Sequence, residues 1–130
     1  MAVKHKTDEL EGALLDAVVA KLVGQPAHII GGRCIGDRGT AENYGFCYSP
    51  SSDWAQGGPL IEREGIQLSY DSATSIEGMN PLPWFACIGD DLAYMRDAGW
   101  GAKGEGYGST PLVAAMRAFV QMRLGAEVDL

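Results

Sequence analysis

The sequence predicts an α+β domain: one small antiparallel sheet of three or four short strands, covered by an N-terminal and a C-terminal helix. Three observations lead there. Apolar residues recur at helical spacing near each end of the 130-residue chain. Between those ends they alternate over short stretches bounded by Gly and Pro. The composition, 46% apolar and 21% charged, is that of a globular domain, and a chain of this length buries roughly 65% of its unfolded surface, enough for one core.

The first helix is expected over 8–23. Asp8 and Glu11 have capping-box spacing. Leu10, Leu14, Val18 and Leu22 form the stripe, widened by Ala13, Ala17 and Val19. Gly24 and Pro26 end it. Ala27 to Ile30 reads as a short strand, and Gly31-Gly32 opens a polar loop from Arg33 to Asn43 with a turn at Gly36-Asp37-Arg38-Gly39. Tyr44, Phe46 and Tyr48 alternate as a second strand, ended by Ser49-Pro50-Ser51-Ser52. Pro59 is placed at the first position of a short helix that Gly65 stops. Ile66, Leu68 and Tyr70 alternate as a half-buried strand. Asp71 to Pro83 is a loop, and Trp84 to Ile88 another strand. Asp90 to Arg96 reads as a short helix or an insertion. Gly99 to Gly108 holds five glycines in ten residues, too many for a regular element. The final helix is capped by Thr110, with Pro111 at its first position and Gly125 after its end. Its stripe is Leu112, Met116, Phe119, Val120 and Leu124, with Arg117 and Arg123 off it. The acidic tail from Ala126 to Leu130 is expected to be extended.

Seventeen acidic residues against ten basic ones give a net charge of −7. Such a balance disfavours non-specific binding to nucleic acid or anionic lipid. No aromatic residues interleave with Lys or Arg, so a single-stranded nucleic-acid platform is not expected, nor is a helix-turn-helix. No run of about 18 apolar residues would span a membrane. The first residues lack an apolar h-region, so a Sec signal peptide is not expected. Three widely spaced cysteines, Cys34, Cys47 and Cys87, make no disulfide framework. They read as small buried hydrophobes in a reducing cytoplasm.

Chemistry is concentrated in few places. Tyr48 to Pro59 reads as a loop carrying an aromatic ring, a carboxylate, hydroxyls and an amide. Trp54 there is either a lid on the core or a stacking surface for a ligand. Asp53 suits a turn or cap better than an acid catalyst, and Gly57-Gly58 suggests close backbone approach or positive φ. The glycine-rich run into Thr110 is a potential anion site at a helix start, although a mobile loop before an ordinary Thr-Pro cap is the plainer reading. Tyr48, Ser52, Asp53, Trp54, Gln56, Gly57, Gly58 and Thr110 therefore form the candidate binding surface. Glu62 and Glu64 read as a solvated face, with Glu62 a candidate salt-bridge partner for Arg117. His5 sits in a terminus expected to fray, and His28 would need Cys34 or Cys47 beside it. No CxxC or HExxH spacing is present, so no metal, no cofactor and no catalytic residue is assigned.

Several segments together resemble a known family. They are Leu14 to Lys21, Tyr48 to Glu64, Trp84 with Ala86, Thr110 to Arg117, and Leu124 to Val128. Together they look like the phage NinX-like family, a domain of unknown function found in tailed phages and prophages. The resemblance implies a single NinX-like domain over 1–130 and a phage accessory protein in the bacterial host cytoplasm. It supplies no catalytic residue. The leading functional expectation is a non-enzymatic binding module for a host or phage protein or a small molecule. The rivals are a small nucleotide- or anion-processing enzyme near Trp54, Asp53 and Thr110, and a structural homo-oligomer.

Overall fold

The computed structural model describes residues 3–37, 44–70, 82–89 and 103–130. The loop expected over most of 71–83, the short helix or insertion expected over 90–96 and the first part of the glycine-rich run lie outside these residues. The class is α+β: the described residues form three α-helices and short antiparallel strands. Among the described residues the strands divide among three small sheets rather than joining in one.

The two ends of the described chain meet. Strand β1 (Lys4–Lys6) pairs antiparallel with β8 (Glu127–Asp129), which places His5 opposite Val128 instead of in a frayed end. The Thr7 hydroxyl, fully buried, donates to the Gly125 carbonyl at 2.6 Å, and the Thr7 N–H donates to Ala126 at 2.8 Å. These long-range bonds explain why the first helix starts late. Thr7–Glu9 forms a single 3-10 turn, Leu10 is extended, and α1 runs only over Gly12–Val23. Asp8 is not the cap, and Glu11 occupies the N-cap position without a side-chain bond.

Beyond α1 comes a three-stranded sheet in the order β2 (Ala27–Ile30), β3 (Arg33–Asp37), β4 (Tyr44–Cys47). Gly31 and Gly32 do not open a long loop. Both have positive φ, 59° and 77°, as the two-residue turn of a tight hairpin requires. The first part of the polar loop is therefore strand. Gly36 in β3 faces the Phe46 ring across the ladder, where a side chain would collide with it.

Helix α2 spans Trp54–Glu64, starting five residues before Pro59. Asp53 caps it by accepting the Ala55 N–H at 3.0 Å. Gln56 then ties the helix to the strand before it: its amide donates to the Cys47 carbonyl and to Asp53, and accepts the Ser49 N–H at 2.9 Å. These bonds and the burial of Leu60 outweigh the turn signal of Gly57-Gly58-Pro59.

The second three-stranded sheet has the order β5 (Gln67–Tyr70), β6 (Trp84–Ile88), β7 (Gly104–Gly108). A regular strand was not expected in β7. Its glycines alternate with Glu105 and Tyr107, so Gly104, Gly106 and Gly108 share one face, and all three are buried. A Cβ on any of them would strike the backbone of the last helix. The glycine repeat thus allows unusually close contact between strand and helix.

That helix, α3 (Pro111–Leu124), is the structural centre. Thr110 caps it by accepting the Val113 N–H at 3.2 Å, with Pro111 in its first turn. Every residue from Ala114 to Val120 is buried, so the helix is enclosed on all sides instead of on one stripe. Met116, Phe119 and Val120 pack with Leu15, Val18 and Val19 of α1, with Leu60 of α2 and with Ile88 of β6. Leu124, expected in the stripe, is exposed, whereas Arg117 is only 5% exposed. Arg117 does not pair with the exposed Glu62. It donates to the Leu10 carbonyl at 2.8 Å and to the Tyr107 carbonyl at 2.7 Å, fastening the entry to α1 and strand β7 to one point. The acid that does pair on α2 is Glu64, 3.0 Å from Arg63 and 3.6 Å from Arg123.

Candidate functional site

The starts of α1, α2 and α3 converge on one cavity of about 620 Å³. Gly12 and Ala13 come from the first turn of α1, Ser52 and Trp54 from the entry to α2, and Thr110 to Val113 from the start of α3. Arg33, Cys34, Cys47 and Tyr48 complete the wall from β3 and the end of β4. The lining is predominantly apolar with a few polar groups, and its size is that of small-molecule sites.

Asp16 sits in this lining at 4% exposure. Its Oδ1 accepts the Ser51 N–H at 2.9 Å, and the Ser51 hydroxyl adds a second bond. Burial pushes the Asp16 carboxyl above its ordinary range, and the Ser51 bonds pull the other way. Burial also pushes up the Cys34 thiol, and the negative charge of Asp16 raises it further. Tyr48 is raised for the same two reasons, against a lowering contribution from Arg63. Thiol and phenol are therefore neutral near pH 7, which leaves Asp16 and Arg33 as the acidic and the basic side chain of the described lining.

The residues expected to form a binding surface divide into two groups. Tyr48, Ser52, Trp54 and Thr110 all line the cavity. Trp54 is 54% exposed, so it is not a lid on the core. Asp53, Gln56, Gly57 and Gly58 are not in the lining. The first two are spent on capping and on tying the β4 end to α2, and Gly57 packs under the Pro50 carbonyl and the Leu112 side chain. The hydroxyl of Thr110 is likewise engaged as a helix cap.

Asp16 was not singled out from the sequence, and Cys34 was named only as a small buried hydrophobe and as a metal partner His28 would need. Asp16 lies inside the first helix, and the buried neighbour that gives it a role, Ser51, is 35 residues away. Cys47 also lines the cavity but is exposed, unlike Cys34 and Cys87. His28 lies in β2 opposite Ile35 and is exposed. Among the described residues no group of three or more His, Cys, Asp or Glu side chains is placed to hold a metal ion, and no helix is long and apolar enough to cross a membrane.

Fold and cavity define a small α+β domain built around a central buried helix, with a ligand-sized hollow where three helices begin. The family model described as Bacteriophage P22, NinX matches residues 6–123. The chain belongs to that family. No curated protein matches it.

Proposed function

We propose that this NinX-family protein is a non-enzymatic binding module that takes a small molecule in the cavity between the helix starts, acting as a phage accessory protein in the host cytoplasm. The observation that carries the reading is the position of Trp54. A large aromatic side chain stands 54% exposed on the wall of a cavity whose lining also holds a buried carboxylate. An exposed indole on a concave wall offers a stacking face. Neither His5 nor His28 is in the lining, and Asp16 is held by two bonds from Ser51. The arrangement suits recognition better than proton transfer.

The test is a thermal-shift screen of a metabolite library against the wild type and Trp54→Ala. A ligand at 100 times its Kd adds about 2.7 kcal/mol of stability. The reading expects at least one compound to raise the Tm of the wild type and to lose that effect in Trp54→Ala, while the unliganded melts coincide. A library without a hit, together with a Trp54→Ala variant that keeps every partner in pull-downs from host lysate, would overturn it.

A protein-docking reading is favoured by a different feature. Ile29 and Ile30 are both exposed on β2, an edge strand. Ile29 also borders a hollow of about 900 Å³ between α1, β2 and β8. In that reading Ile30→Lys abolishes capture of a partner, and Trp54→Ala does not.

A further inference from the structure

The polar groups of the cavity define the ligand more narrowly. We infer that the site takes a planar heteroaromatic ring that presents N–H donors, of the nucleobase kind, stacked on Trp54 with its donor edge toward Asp16. The inference rests on the binding reading above and specifies its ligand.

The ring follows from Trp54. Aromatic faces prefer offset stacking on another π-system, and base–indole stacking is among the strong sequence-tolerant contacts made by nucleobases. The donor edge follows from Asp16. The Asp16 carboxyl receives two donors from Ser51, the arrangement that suits a carboxylate, which accepts only and has about four lone-pair sites. Ser51 occupies two of them, through its N–H at 2.9 Å and its hydroxyl. A buried carboxylate with spare acceptor capacity gains from each further donor, because charge-assisted bonds are the stronger kind. An acceptor edge facing it would be repelled. The neutral Tyr48 phenol and Cys34 thiol add no charge, and Arg33 balances Asp16. Among the described lining side chains Arg33 alone is basic and faces one acid, Asp16, so the side chains select for the ring and its donors.

Five probes test this: adenosine, guanosine and cytidine, whose bases carry N–H donors, caffeine, a planar purine ring without N–H donors, and ribose, which has no aromatic ring. Affinities are read by calorimetry, and the sites by amide shifts of Ser51 and the indole N–H of Trp54. The inference expects at least one nucleoside to bind about ten-fold or more tighter than caffeine, with both reporter signals moving, and ribose to give no heat. Trp54→Ala weakens both ring ligands; Trp54→Phe restores most of the binding. Asp16→Asn removes the preference over caffeine. Should that variant not fold, the Ser51 amide shift in the wild type decides the same point, since a donor placed on Asp16 must disturb it. Caffeine binding as tightly as every nucleoside, or nucleoside binding without change at Ser51, overturns the inference. If no probe binds while another library compound raises the Tm in a Trp54-dependent way, the inference fails and the binding reading stands. If no compound of any kind does so, both fail.

Discussion

Replacing Gly106 by alanine should loosen the contact on which the fold most depends. The added Cβ would collide with the Ala114 carbonyl oxygen and lie 2.5 Å from the Ala118 nitrogen and 2.9 Å from the Arg117 Cβ. Ordinary carbon contacts fall at about 3.5–4.0 Å, so β7 and α3 must separate by about 1 Å. The obstacles are mainly backbone atoms of a fully enclosed helix, which cannot rotate out of the way. Overpacking typically costs about 1–3 kcal/mol. The upper end applies here, because the same separation strains the Arg117 bond to Tyr107. For a domain of this size each kcal/mol lowers the Tm by about 3–5 °C, which gives a loss of about 9–15 °C in a circular-dichroism melt. Gly58→Ala is the control of opposite sign. A Cβ there meets nothing within 4 Å, and the position lies inside α2. Alanine is favoured over glycine in a helix by about 1 kcal/mol, so the control should melt a few degrees higher. A Gly106→Ala protein that melts with the wild type would refute the steric account of the glycine repeat.

Arg117→Met should destabilise by roughly 2–6 kcal/mol, at about 1–3 for each of the Leu10 and Tyr107 carbonyls left without a donor; a urea midpoint equal to the wild type would show that water replaces both bonds. Phe119→Ala removes a fully buried ring and should cost about 3–5 kcal/mol by the same measurement. Thr110→Ala should cost about 1 kcal/mol through the lost cap, without affecting ligand binding. Because the folded-state pKa of Asp16 is raised by burial, its ionisation opposes folding: the penalty is full above the folded pKa and is relieved as the pH falls through it. The stability of the wild type relative to Asp16→Asn should therefore rise as the pH is lowered from 7 into the acidic range, and parallel pH profiles of the two melts would contradict that sign.

Part of the candidate site was legible in the sequence. Trp54, Tyr48, Ser52 and Thr110 stood out because an aromatic residue amid turn-forming residues and a Thr-Pro helix start are local signals. The cavity does gather these four. Asp53 and Gln56 looked equally polar and available, but their bonds go to Ala55, Ser49 and Cys47, neighbours close in sequence whose geometry depends on α2 starting at Trp54. Asp16 was silent because its meaning comes from Ser51, which only the packing of α1 against the entry to α2 brings to it.

The sequence by itself determined the α+β class, the caps and ends of the C-terminal helix, the glycine stops after α1 and α2, strands β2, β4, β5 and β6, and the extended tail that forms β8. Each rests on rules that act over a few residues: side-chain period, capping hydroxyls, and glycine where the chain must turn. Only the tertiary structure decided the rest. A run of glycines has no side chains to reveal a period, so β7 becomes a strand because α3 lies against its bare face. Arg117 looks like a surface residue until Leu10 and Tyr107, 107 and 10 positions away, offer it carbonyls inside the core. The capping-box spacing of Asp8 and Glu11 fails because Thr7 is claimed by the chain's far end at Gly125. In each instance a contact between distant segments outweighs a local preference, since local preferences are worth about 1 kcal/mol or less and a buried group left unsatisfied costs more.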